Sequence, residues 1–285
     1  MTYKKRSLKF QFTLKEGKFD DKGNDILTID NIKAEVEMGA YGGVSGTTME
    51  ARVYGLSLEQ MAFLSYKGIQ LNGAKQNMMK VWADGVPIFY GAIMNCFSDL
   101  NQMPEAPLII SAFATGFDQS IPAAPFSQVG SVNVADIITS IAKSIDYTVV
   151  NNGVKSQLSN PYFDGNPISQ INKCAHAAGI EIDFRLNVVY IWPQGGSVDE
   201  KIPFISAATG LVGYPTFSNY GVTFQCQYSD LILRGRKVQI ETDMPNASGI
   251  YTIQQASHYL SSWTEGGPWV TQAWASLGEL TPVRQ

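Results

Sequence analysis

Hydrophobic and polar residues alternate along most of this chain, but between residues 131 and 193 the apolar positions recur at helical spacing. Val134, Ile137, Ile138, Ile141 and Ile145 fall three and four apart and form one stripe. Asn133 suits an N-cap, and Asp136 sits in the first turn, where the helix dipole favours a negative charge. A second helix is predicted from Asn166-Pro167, a cap followed by proline at the first helical position. It carries Ile168, Ile171, Ala175 and Ala178 inward and stops at Gly179, a residue type suited to the left-handed helix end. Residues 180–186 then alternate with period two, Asn187 turns the chain, and 188–192 return as a second strand. Neither helix can bury its stripe alone. Ile137, Ile141, Ile168 and Ile171 are therefore expected to share one small core with the 184–190 hairpin.

The flanks read as strands. Residues 7–15 and 26–38 alternate, and 39–46 form a glycine-rich loop, Gly-Ala-Tyr-Gly-Gly-Val-Ser-Gly. That loop lacks the Lys-Ser/Thr ending of a phosphate cradle and precedes no helix, so it reads as a flexible hairpin tip. Residues 48–54 return, with Met49, Ala51 and Val53 on one face. Ser57 and Gln60 fit a capping box opening a short helix with Leu58, Met61 and Ala62. Strands follow at 78–83 and 86–95 around Asp84-Gly85, and at 108–114. Prolines 104, 107, 122 and 125 punctuate the run into a linker at 121–130. Residues 195–210 read as a loop, with strands at 222–227, 237–241, 249–255 and 270–276 and no repeat at a fixed short period. The expected organisation is α+β, mostly β. A first β-rich domain (1–118) and a second (196–285) flank a helix–helix–hairpin unit (119–195).

Composition narrows the class. The 285 residues are 45% hydrophobic and only 16% charged, against about 25% in an average soluble protein. No apolar run approaches the ~18 residues of a membrane helix. The basic head Met1–Arg6 is followed by the alternating Leu8–Leu14, which reads as a strand and not as an export signal. So few charges fit either buried subunit interfaces or a surface rich in Ser, Thr, Asn and Gln. The net charge of −4 argues against a specific nucleic-acid binder. Cys96, Cys174 and Cys226 lie far apart and read as reduced, buried thiols of a cytoplasmic folding environment.

Candidate chemistry is thin. Cys174 and His176 are two apart on a predicted helix and point to different faces, so they form neither a metal pair nor a nucleophile pair. His258 has no acidic neighbour and reads as a core or interface histidine. Asp20-Asp21 and Asp199-Glu200 fall in turn-like stretches, where a solvated charge is the default. Asp183 alternates with Ile182 and Phe184 and is expected to face solvent. Tyr259, Trp263, Trp269 and Trp274 could stack on a sugar or base, but their irregular spacing suits a core or interface better. No catalytic, metal or cofactor site is expected.

The order of these elements resembles the late-control-protein family, the baseplate hub proteins of long-tailed, mainly contractile, bacteriophages. The matching motifs are Val53-Tyr-Gly55-Leu56-Ser57, Phe89-Tyr90-Gly91-Ala92-Ile93, Val134-Ala-Asp-Ile137, Pro167-Ile168 and Ala177-Ala178-Gly179-Ile-Glu-Ile182. Further on come Gly210-Leu-Val-Gly213-Tyr214-Pro215, Gly221-Val222-Thr223, Gly235-Arg-Lys-Val238, Gly249-Ile250-Tyr251 and Ser257-His258. The resemblance implies a structural protein without catalytic residues, with two tail-tube-like β-barrel domains per subunit. It implies a homotrimer whose ring of six such domains surrounds a DNA channel between the sixfold tail tube protein ring and the threefold central spike protein. Tape measure and baseplate wedge proteins are further candidate partners. The setting it implies is the virion baseplate, assembled in the host cytoplasm, with no specific nucleic-acid binding, no membrane and no cofactor. The Gly39–Gly46 tip, with Tyr41, Gly42, Gly43 and Val44, is expected to touch an adjacent ring or subunit, and the channel wall to be neutral to acidic. The competing readings are a carbohydrate- or receptor-binding tail module and an unrecognised hydrolase.

Overall fold

The computed structural model describes residues 6–65, 76–245 and 247–277, so most of the basic head lies outside the described residues. In the first β-region, strands β1 (Leu8–Thr13), β2 (Ile26–Asp30), β3 (Ala34–Ala40) and β4 (Thr47–Val53) precede helix α1 (Leu58–Leu64). Strands β5 (Met78–Ala83), β6 (Val86–Ser98) and β7 (Leu108–Phe113) come after it. Period-two alternation sends Leu8, Phe10 and Phe12 of β1 and Met49, Ala51 and Val53 of β4 into one core. The capping box of α1 forms in full. The Gln60 N–H donates to Ser57 Oγ, and the Ser57 N–H donates to Gln60 Oε1. Asp84 and Gly85 both take positive φ, 48° and 84°, as a two-residue hairpin turn requires.

The central unit runs β8 (Phe126–Ser127), β9 (Ser131–Asn133), α2 (Val134–Lys143), β10 (Thr148–Asn151), β11 (Gln157–Ser159), β12 (Tyr162–Phe163), α3 (Pro167–Ala178), β13 (Ile180–Arg185) and β14 (Val188–Pro193). The Ser169 N–H donates to the Asn166 side chain at the start of α3, and Gly179 ends that helix at φ 62°. The two helical stripes do meet the hairpin. Ile137, Ile138, Ile141, Ile168 and Ile171 share a core with Phe184, Val189 and Ile191. Residues 148–151 had no strand assignment in the sequence, yet β10 pairs in parallel with β14 and completes a three-stranded sheet over the helices.

The second β-region contains β15 (Phe204–Ile205), β16 (Leu211–Ser218), β17 (Gly221–Gln227), β18 (Lys237–Ile240), β19 (Gly249–Ser262) and β20 (Trp269–Ser276). Its core is built on Val222, Phe224, Cys226, Val238, Ile253 and Ala275. The strands do not form two separate closed barrels. All strands of both β-regions join in one 13-stranded sheet, and its main path is open, ending at β2 and β16. The junction is an antiparallel ladder between β3 and β19, from Ala40 opposite Ala256 to Ala34 opposite Ser262. Because β3 gives its outer edge to β19, it does not return to β2, and the first region stays open.

The two β-regions repeat one pairing plan. The antiparallel pairs β3–β4, β4–β7, β5–β6 and β6–β7 recur, in chain order, as β16–β17, β17–β20, β18–β19 and β19–β20. The pair β1–β5 recurs as β15–β18, antiparallel in the first case and parallel in the second. One irregularity also coincides. The register shifts between Ile93 and Asn95 of β6 against β7, and between Ile253 and Gln255 of β19 against β20. The Ile93 N–H donates to the Asn77 carbonyl at 2.8 Å, and the Ile253 N–H to the Arg236 carbonyl at 2.9 Å.

Truncating a residue of the central core tests its packing. Ile141 is 6% exposed, so Ile141→Ala should destabilise the fold by about 2–5 kcal/mol in equilibrium unfolding. A loss below about 0.5 kcal/mol in a folded variant would contradict the packing.

Candidate functional site

The Gly39–Gly46 loop lies where the two β-regions and the central unit meet. Its tip is tied to its own chain at several points. The Val44 carbonyl accepts from Thr115 Oγ1 and from Gln119 Nε2, the latter at 3.0 Å. Tyr41 Oη and Ser257 Oγ lie 2.9 Å apart. Gly42, at φ 79°, packs so closely on Arg234 that a Cβ would lie 2.8 Å from the guanidinium carbon. The backbone of the tip is therefore held within the chain, while the side chains of Tyr41 and Val44 and the backbone of Gly43 face outward.

Arg234 clamps this junction. Its Nη1 donates to the Ile182 carbonyl and its Nη2 to Glu181 Oε2, each at 2.8 Å, and its guanidinium lies 5.6 Å from the Trp192 ring centroid. The next residue, Gly235, lies against the Trp192 ring where a Cβ would overlap it. Beside the clamp, Asp183 is 1% exposed, which corrects the expectation that it faces solvent. The reason is that β13 is covered on both faces. Phe184 enters the helical core, and Asp183 turns the opposite way, towards the Arg234 side. Arg185 Nε stands 2.7 Å from Asp183 Oδ2, an ion pair without hydrogen-bond alignment. Burial pushes the Asp183 carboxyl upward, against the pull of Arg185 and Arg234.

Asp199 is likewise not the solvated charge its turn suggested. Arg236, 5% exposed, donates Nε to Asp199 Oδ1 at 2.9 Å and Nη2 to Oδ2, and its Nη1 reaches the Leu231 carbonyl. Burial opposes the charge on Asp199, and the Arg236 hydrogen bond and charge overcome it, holding the carboxyl below its ordinary value. Asp20 does sit in an exposed turn, accepting the backbone N–H groups of Lys22 and Asn24.

The solvent face of the joined sheet forms the other candidate surface. One row runs across the seam from Gln227 through Val270, Tyr259, Glu37 and Glu50 to Ser111 and Asn95. A second row brings Gln225, Gln272, Ser257, Gly39 and Thr48 into line. Glu37 and Glu50 stand directly opposite each other, an arrangement that costs stability in a sheet. Ser111 Oγ donates to Glu50 Oε2 at 2.6 Å. Glu35, Glu37, Glu50, Arg52 and Tyr259 line a groove here, so carboxylates dominate its charge.

The remaining candidates scatter. Cys174 is buried in α3 while His176 on the same helix is exposed. All three thiols are buried and pushed up to about 12. Among the described residues no group of three or more His, Cys, Asp or Glu is placed to hold a metal ion. Trp269 is buried edge-on against Tyr228, Trp274 is half-buried, and Trp263 is exposed, so they share no stacking platform. His258 is 1% exposed in the seam strand β19, opposite Met38, with its Nδ1 2.7 Å from Thr271 Oγ1 and the Tyr228 ring edge-on at 5.3 Å. The Arg234 clamp, the acidic row and the seam itself were not anticipated. Only the Glu-x-Glu pattern at 35–37 within an alternating strand gave a local signal for any of them.

The sequence matches the family described as Baseplate hub gp41 over residues 63–270. No curated protein matches it significantly. Solved structures share the fold. The tail protein from Neisseria meningitidis MC58 superposes with a TM-score of 0.65 at 10% identity over 97% of each chain. The prophage MuSo2 43 kDa tail protein from Shewanella oneidensis gives 0.62 at 9% identity over 96% of each. A chain of the Francisella PdpA-VgrG complex gives 0.56 at 8% identity, over 99% of this chain and 54% of that one.

The buried histidine makes the seam sensitive to acid. Burial lowers the His258 pKa from 6.5 to about 4, so the folded chain keeps the ring neutral where the unfolded chain protonates. Stability is thus complete above the unfolded value and falls as pH drops towards the folded one, by about 3 kcal/mol. Urea unfolding monitored from neutral pH down to about pH 4 should show this slope, and His258→Gln should flatten it. An unchanged slope in the variant would assign the acid sensitivity elsewhere.

Proposed function

The chain belongs to the baseplate hub gp41 family, and on that premise we propose that it is a structural hub subunit at a phage tail tip. In this reading residues 1–118 and 196–285 are two tube-like β-domains around the 119–195 unit. Three copies close into a ring between the tail tube and the central spike. The observation that carries the reading is the repeated pairing plan of the two β-regions, fused through β3 and β19. A trimer of such chains presents six similar units, which suits a junction between sixfold and threefold neighbours. The tail-protein folds of its structural neighbours and the likeness to a chain of the PdpA-VgrG complex favour tube and spike as partners. Tape measure and baseplate wedge proteins are further partners in this reading. It works without catalysis or cofactor, as part of the virion tail.

The uncharged and acidic face across the seam lines the channel in this reading. Carboxylates outnumber Arg52, which stands opposite Glu35, in a wall otherwise rich in Gln, Ser and Thr, so a phosphate backbone finds little to bind and DNA passes with few counterion-releasing contacts. Tyr41 and Val44, exposed on a backbone fixed by Thr115 and Gln119, meet the adjacent ring.

A threefold-averaged cryo-EM map of the assembled tail tip tests the proposal. Three copies with Glu37 and Glu50 facing the lumen are expected, and one copy per tail or a lumen lined by Lys and Arg would overturn it. Particles carrying Glu37→Lys with Glu50→Lys should assemble but eject DNA more slowly, with the defect relieved by added salt. Ejection at the unaltered rate from such particles would place this face away from the DNA.

A further inference from the structure

A single 3₁₀ turn, Asp118–Ser120, follows β7 and lies between the first β-region and the central unit. Several ties between those units meet there. Thr115 Oγ1 and Gln119 Nε2 hold the Val44 carbonyl of the 39–46 loop. The Gln119 carbonyl accepts from Asn166 Nδ2, at the start of α3, at 3.0 Å. From the other side comes Tyr147, between α2 and β10. It is 5% exposed and stands edge-on to Phe184 of the helical core. Its hydroxyl reaches Asp118, which is 8% exposed.

Tyr147 Oη lies 2.8 Å from Asp118 Oδ2 and 3.1 Å from the Ala114 carbonyl oxygen, both within reach of a hydrogen bond. A phenol has one hydrogen to give, and neither a carboxylate nor a carbonyl has any. With Asp118 ionised, that hydrogen serves one oxygen fully, and the other faces a lone pair in a buried place. A proton on Asp118 resolves the count. Oδ2 then donates to Tyr147 Oη, Oη donates to the Ala114 carbonyl, and each of the three oxygens has a partner. We propose that Asp118 holds a proton in the folded chain, and that this proton closes a latch between the central unit and the first β-region. The latch lies within one chain and needs no neighbouring copy.

The surroundings agree. The titratable groups facing Asp118 are Tyr147, Tyr90 of β6 and Lys15 beyond β1. Helix α3, which also packs on the turn, meets it with the uncharged Asn166. Burial pushes the Asp118 carboxyl above its ordinary 3.8, against the weaker pull of the Tyr147 hydrogen bond and of Lys15. Lys15 places its ammonium over the Phe117 ring, 5.0 Å from the centroid, and makes no ion pair with Asp118. Burial raises both phenols, so neither brings a charge. Below 3.8 the carboxyl is protonated whether the latch is closed or open. As pH rises past that value the open form ionises first, so opening gains about tenfold per pH unit until the closed form ionises too. The latch is thus firm in mild acid and slack towards neutral pH, the reverse of the His258 seam.

Carbon NMR of the Asp118 side-chain carboxyl in the wild-type chain tests the proton directly and needs no variant to fold. Its midpoint should lie above 3.8. A midpoint at or below 3.8 would overturn the proposal and leave the phenol hydrogen shared between both acceptors. Hydrogen exchange tests the latch. The Gln119 and Tyr147 amides donate to the Thr115 and Ala142 carbonyls on its two sides. Their protection factors should fall by about tenfold per pH unit between the ordinary carboxylate value and the Asp118 midpoint. In Asp118→Asn, whose amide donates at every pH, protection should stay level across that range. Protection that stays flat in the wild-type chain, or that falls equally in Asp118→Asn, would show that the proton fastens nothing and would overturn the latch.

Discussion

The antiparallel ladder between β3 and β19 is the constraint on which the rest of this molecule depends. It joins residues more than half the chain apart and converts two β-regions into one continuous sheet. Without it, β3 would present an unpaired edge and Leu260 would leave the first core, where it packs with Trp269 against the first region's own residues. The ladder also sets the solvent face. Only because the strands align across it do Gln227, Tyr259, Glu37, Glu50 and Ser111 fall into one row. The like-charged pair Glu37–Glu50 costs stability in that row, and the proposed channel gives the cost a function.

The central helical unit is fastened to the seam by charge. Arg234 reaches from the second β-region to Glu181 and the Ile182 carbonyl of β13, while Gly42 of the first region closes over it. Placing Asp183 and Arg185 next to this clamp buries an ion pair that apolar residues would replace at little cost to stability. Both partners lie on β13, so the docking geometry is set by Arg234, whose bonds to Glu181 and the Ile182 carbonyl a shifted β13 would lose. The same economy of position explains the loop at 39–46. Gly42 and Gly46 serve close packing at an internal junction, and Tyr41, Gly43 and Val44 face outward.

Local periodicity made the central unit legible from sequence. The stripes of α2 and α3, the Asn166-Pro167 cap, the Gly179 end and the β13–β14 hairpin each depend on residues within a few positions of one another. The capping box of α1 and the Asp84-Gly85 turn were readable for the same reason. Failures came where the deciding partner is distant. Alternation around Asp183 correctly gave a strand but could not say that both its faces are covered. Strand β16 was missed because Gly213, Tyr214 and Pro215 interrupt its pairing with β17 and break the alternation. The repeat itself leaves no periodic sequence trace, since recurring pairs such as β3–β4 and β16–β17 share only a place in the sheet. The loop at 39–46 read only as a flexible hairpin tip, because the Arg234 clamp that holds it comes from a segment nearly two hundred positions away.

Native-state hydrogen exchange measures the seam directly. If the ladder makes one cooperative sheet, the amides of β3 and of the second half of β19 should exchange with the slowest class, together with both β cores, in a single global opening. Amides of the open edges β2 and β16 should exchange faster. Seam amides that exchange as fast as those edges, with the two β-regions opening in separate transitions, would contradict the account.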